Sequence, residues 1–112
     1  MRFSVLALDY DGTIASDGQM DSDVRSAINE VRSRGIAVVV VTGRILSGLR
    51  RVAGDLDFAD AVIAENGAVL AFPDGNSRLI AQPPPPIFFE ELRRCGIDFT
   101  AGQSVAYLTA AA

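Results

Sequence analysis

A doubly wound α/β sheet is the fold class this sequence predicts, and three observations predict it. Apolar runs of strand length recur at Phe3 to Leu8, Ile36 to Val41 and Ala61 to Ala64. Stretches with helical apolar spacing lie between them. Each run also ends at a polar turn containing glycine: Asp11-Gly12-Thr13, Thr42-Gly43-Arg44 and Glu65-Asn66-Gly67. Strand, helix and strand in this order favour parallel pairing through right-handed crossovers.

Phe3 to Leu8 is the first strand. Asp21 or Ser22 can cap a helix whose Val24, Ala27, Ile28 and Val31 stand at i, i+3, i+4 and i+7, and Gly35 ends it. Ile36 to Val41 is a continuous β-branched run, which suits a central parallel strand covered on both faces. A second helix runs over 47–53, with Leu46, Leu49 and Val52 facing the sheet, and 61–64 forms a short third strand. Beyond it, 68–72 and 78–81, joined by Pro73-Asp74-Gly75-Asn76, read as a β-hairpin. Pro83 to Pro86 is a stiff spacer; recognition as a proline-rich ligand is the other reading. A short helix over 88–95 and two strands over 97–100 and 105–109 complete the chain. The whole is a three-layer, Rossmann-like arrangement with an appended tail.

Composition narrows the function. The chain has 112 residues, 49% of them hydrophobic, enough for one globular domain at most. A formal charge of -4 with scattered basic residues argues against nucleic acid and anionic membrane surfaces as partners. Asp9 interrupts the N-terminal apolar run after a few residues, so neither a signal peptide nor a membrane span is supported, and a cytoplasmic location is expected. The single cysteine, Cys95, has no partner for a disulfide and no histidine to act as its base, and reads as a semi-buried helix residue. Every one of the 10 basic residues is arginine.

The chemistry concentrates at the strand ends. Side chains two apart on a strand point the same way, so Asp9 and Asp11 leave the first strand together with Tyr10 opposed. Paired carboxylates bind a hard divalent cation or pass a phosphoryl group through a carboxylate nucleophile. A tight Asp-Asp-Gly hairpin turn is the alternative. Thr42 lies 33 residues after Asp9 in sequence, yet both stand at carboxyl ends of strands, where open parallel sheets bind ligands. The Thr42 hydroxyl and the N–H groups that follow suit a phosphate oxygen, although a helix cap also explains them.

Asp9-Tyr10-Asp11-Gly12-Thr13-Ile14, Thr42-Gly43-Arg44 and Glu65-Asn66-Gly67-Ala68 together resemble three ordered motifs of the haloacid dehalogenase-like hydrolases. The last resembles the capped sugar-phosphatase branch. The match spans roughly 3–72. It implies a Mg²⁺-dependent phosphate-monoester hydrolase acting on a small phosphorylated metabolite. In that family Asp9 would be the nucleophile that becomes an aspartyl-phosphate, and Asp11 the general acid and base. Thr42, with Gly43 and Arg44, would hold the phosphoryl group, and the metal would be bound at Asp9 and Asp11, with Gly12, Thr13, Glu65, Asn66 and Gly67 completing the motifs.

The resemblance also sets out what this sequence lacks. The family's third-motif cation, a lysine or sometimes an arginine, is not evident. The fourth-motif acidic pair, Gly-Asp-x-x-x-Asp, does not occur either. The expected organisation is an incomplete core over 1–82 and a proline spacer with partial α/β cap over 83–112, as in a truncated family member. Its alternative is a phosphate- or Mg²⁺-binding remnant without turnover, or an interaction module. A two-component receiver domain fits the length, but it needs an acceptor aspartate after the third strand and a lysine, and neither is present. With later family strands absent, the first strand has an open apolar edge, and this edge predicts a homodimer or larger assembly.

Overall fold

The computed structural model describes residues 4–108. Five strands form one mixed sheet in the order β1-β2-β3-β4-β5, comprising β1 (Val5–Asp9), β2 (Ala37–Val41), β3 (Ala61–Ala64), β4 (Val69–Ala71) and β5 (Ser77–Leu79). The first three are parallel, with Asp9 beside Val41 and Val41 beside Ile63. β4 pairs with β3 and β5 with β4, both antiparallel. The expected Rossmann-like parallel sheet is therefore present, incomplete, in β1 to β3. Phe3 and Thr109, assigned to strands on sequence grounds, lie outside the described residues.

Helix α1 (Ser22–Ser33) connects β1 to β2, and α2 (Leu46–Ala53) connects β2 to β3. Asp21 caps α1, its Oδ1 accepting from the N–H groups of Asp23 and Val24 at 2.9 and 3.4 Å. Gly35, at φ +81°, turns the chain out of the helix, a conformation a side chain would resist. Ile28, Leu46 and Leu49 are buried and Val24, Val31 and Val52 pack against the core, as the spacing predicts; Ala27 is exposed. Along β2, Val38 and Val40 are fully buried while Val39 is half-buried and Val41 exposed. One face of this strand is thus covered far better than the other. β1 is outermost, and its Val5 and Leu6 are exposed.

The tail differs in detail from its sequence reading. Pro86 does not end the spacer but opens helix α3 (Pro86–Arg94), where its missing N–H costs nothing. Cys95 is exposed just past that helix, not semi-buried within it, because Gly96 turns the chain away there. The last two strands, β6 (Phe99–Ala101) and β7 (Ala106–Leu108), pair with each other in a separate antiparallel ribbon. Neither adds to β1. No helix among the described residues is long and apolar enough to cross a membrane.

Candidate active site

The site is built where β1 and β2 end. Asp9 is the last residue of β1 and is exposed. Tyr10 turns to the opposite side and is fully buried, its hydroxyl donating to the Gly18 carbonyl at 2.8 Å. The Tyr10 N–H donates to Val41 O at 3.2 Å, so the chain beyond β1 stays beside β2 for one more step. Tyr10 O then accepts from Ile14 and Ala15 N–H at 3.1 and 2.9 Å, folding the Gly12-Thr13 turn back under the site. Gly12 adopts φ +77°, which permits that reversal.

Residues 42–44 approach from β2. Thr42 is buried, and its Oγ1 accepts from the Arg44 N–H at 3.0 Å, leaving the hydroxyl proton to donate elsewhere. Three backbone bonds stitch this loop to the end of β3: Thr42 N to Ile63 O at 2.9 Å, Glu65 N to Arg44 O at 3.0 Å and Asn66 N to Thr42 O at 3.3 Å. The Arg44 guanidinium reaches across to Asp11, Nε and Nη2 donating to the two carboxylate oxygens at 2.8 Å each. That fork holds the Asp11 carboxyl below the usual carboxylate range. Burial raises the Tyr10 phenol. Asp11, the Gly12–Asp21 turn, Val24 and Arg44 line an open cleft of about 700 Å³.

Sequence reasoning assigned Arg44 to phosphate; in the structure its partner is Asp11. The fork geometry that matches two carboxylate oxygens also matches two phosphate oxygens. Glu65 and Asn66 follow β3 with positive φ of 54° and 57°, conformations sparsely used by residues with side chains. Glu65 is fully buried and faces the N-terminus of α2 rather than the cleft, accepting from Leu46 N–H at 3.3 Å. Arg93 and Arg94 lie away from the site, Arg93 over the Phe99 ring and Arg94 paired with Glu91. Among the described residues no three His, Cys, Asp or Glu side chains gather as a metal cage.

Tyr107 is the neighbour that sequence reasoning missed. Its hydroxyl donates to Gly43 O and accepts from Asn66 Nδ2 at 3.0 Å. Nothing in the local pattern of β7 marks that contact, which spans 64 residues.

A family model described as haloacid dehalogenase-like hydrolase matches residues 6–86. The chain is 38% identical over 77 residues to the 5-amino-6-(5-phospho-D-ribitylamino)uracil phosphatase YcsE of Bacillus subtilis, covering 68% of this chain and 30% of that protein. It is 32% identical over 95 residues to a phosphoglycolate phosphatase of Methanopyrus kandleri, covering 81% and 41%. The chain thus spans well under half the length of these relatives. Among solved structures, BT1666 of Bacteroides thetaiotaomicron, a phosphatase-superfamily protein, aligns with a TM-score of 0.62 at 31% identity over 85% of this chain and 37% of its own. A haloacid dehalogenase-like hydrolase of B. subtilis shares the fold with a TM-score of 0.68 at 23% identity, covering 98% and 40%. With the family model and these relatives in agreement, the chain belongs to the haloacid dehalogenase-like hydrolases.

Proposed function

We propose that this chain carries the nucleophile and phosphate-binding portion of a Mg²⁺-dependent phosphate-monoester hydrolase acting on a small phosphorylated metabolite. The observation that carries the reading is the Arg44–Asp11 fork: two residues 33 apart in sequence meet just beyond the ends of adjacent parallel strands, where both line an open cleft. The phosphatase names of two relatives support the reaction class.

In this reading an Asp9 carboxylate oxygen attacks phosphorus, and the bond from phosphorus to the ester oxygen breaks. Asp11 gives its proton to the departing alkoxide. Water then attacks the aspartyl-phosphate, Asp11 takes a proton from that water, and the bond from phosphorus to Asp9 breaks. Monoester and water become alcohol and inorganic phosphate. Arg44 holds two oxygens of the arriving phosphate in place of Asp11, which frees Asp11 for its proton work. The Thr42 hydroxyl donates to a phosphoryl oxygen.

The donor set fits Mg²⁺, a hard cation that takes one or two carboxylates and completes its shell with water and phosphate oxygens. The exposed Asp9 carboxylate and the Asp11 backbone carbonyl would hold it. When bound it supplies positive charge against the phosphoryl oxygens.

The test is binding of beryllium fluoride with Mg²⁺, a phosphoryl mimic. Wild type should bind it and Asp9→Asn should not, with any turnover falling about 10⁴-fold or more. Asp11→Asn should keep Mg²⁺ affinity within about tenfold yet lose turnover. Unchanged fluoride binding in Asp9→Asn overturns the nucleophile. Equal loss of Mg²⁺ in both variants makes the carboxylates a plain metal pair, and wild-type binding without turnover favours a phosphate-binding module.

A further inference from the structure

The Glu65 carboxylate is buried without a cationic partner among the described residues, and four backbone N–H groups satisfy it. Leu46 N–H donates from the start of α2 at 3.3 Å. Gln103, Ser104 and Val105 donate from the loop between β6 and β7 at 3.0, 2.9 and 3.2 Å. Ile45, at the N-cap of α2, offers no side-chain acceptor, so Glu65 takes the place of a local cap. A Cβ at Gly102 would stand 2.3 Å from Glu65 Oε1, so the loop reaches the carboxylate because a glycine precedes the three donors. A second contact lies beside this one, where Tyr107 bridges Gly43 and Asn66. A Cβ at Gly43 would likewise meet Asn66 Oδ1 at 2.8 Å.

We propose that Glu65 is a positioning residue that ties the 103–105 loop and the first turn of α2 to one carboxylate, so that the tail carrying Tyr107 and the Thr42–Arg44 loop hold or lose their geometry together. The coupling is reciprocal. A phosphate on Thr42–Arg44 tightens the tail, and a docked tail tightens phosphate. This rests on the phosphate-binding reading of residues 42–44. Burial alone would favour the neutral acid, but the four donors outweigh it and hold the Glu65 carboxyl below its ordinary range.

The experiment is backbone amide NMR with hydrogen exchange on the full 112-residue chain, titrated with inorganic phosphate in the presence of Mg²⁺. Wild type is compared with Glu65→Gln, Gly102→Ala and Tyr107→Phe. In Glu65→Gln and Gly102→Ala, protection at 103–105 should fall about tenfold or more. The amide resonances of Thr42, Arg44 and Leu46 should shift with it, and phosphate should bind about tenfold more weakly. Val38 and Val40 amides should keep their protection, which separates loss of coupling from loss of fold. Tyr107→Phe should reproduce a smaller part of the shift at residues 42–44. The proposal is overturned if the 103–105 amides open while those of Thr42 and Arg44 stay as in wild type, or if phosphate affinity changes less than about twofold in both clamp variants. If wild type binds no phosphate while the 42–46 amides still respond to the tail, the coupling stands and the phosphate reading of that loop fails.

Discussion

The molecule changes its means of support at Ala71. All members of the buried apolar cluster lie between Tyr10 and Ala71, whereas from Phe72 to Leu108 the buried side chains are Leu92 and Ser104. The first part is held by apolar burial, which is non-directional and spread over many side chains. The second is fastened by directed hydrogen bonds: three N–H groups on Glu65, Tyr107 on Gly43, Ser104 Oγ on Ala81 O and Ser77 Oγ on Gln103 at 3.1 Å. Val105 alone of the tail packs against the cluster. Spread support degrades gradually under substitution, while support focused on one carboxylate fails at a single residue.

The largest effect on stability should come from the first part. Leu49 is fully buried in the cluster, and Leu49→Ala should cost about 3 kcal/mol through lost burial and the cavity left behind. Urea unfolding should show one lowered midpoint for the sheet, with the tail lost alongside it. Retention of the wild-type midpoint would mean that the cluster is not the main support.

Acid should separate the two parts in the other direction. Because the folded Glu65 pKa lies below its ordinary value of 4.5, this group's contribution is fully present above that value. It disappears as pH falls through the lower folded pKa. Protection factors at 103–105 should therefore fall below about pH 4.5 while those of Val38 and Val40 hold. Simultaneous loss at both places would erase the distinction.

Asp21→Ala should have the smallest effect, about 1 kcal/mol, since it removes one exposed cap and leaves the packing of α1 intact. A shift in thermal midpoint with no change at 103–105 would confine the effect to the first part.

The same division marks what could be read from the sequence. A cap at Asp21 or Ser22, the β-branched run of β2, the 61–64 strand and the inward faces of α1 and α2 follow from spacing and propensity, both local properties. The hairpin strands fall at 69–71 and 77–79 rather than 68–72 and 78–81, because register is set by the turn between Phe72 and Asn76, where Phe72 N–H donates to Asn76 O. At the site, opposition of Tyr10 to its flanking aspartates follows from strand alternation. The Arg44–Asp11 fork and the donors on Glu65 do not, since they join residues 19 to 40 positions apart through side-chain reach that no local pattern encodes. Glu65 was recognised as part of a motif, but its direction depends on the positive φ of residues 65 and 66.

The placement of the two tyrosines gives the protein an optical property. The chain has no tryptophan, and of its two tyrosines Tyr10 is buried directly after β1 with its hydroxyl on Gly18, while Tyr107 is half-buried and hydrogen-bonded to Gly43. Emission excited in the tyrosine band, beyond the absorption of the phenylalanines, therefore originates beside the candidate active site. Quenching by a small neutral solute would resolve it into a shielded and an accessible emitter, giving a label-free readout of the surroundings of residues 42–44.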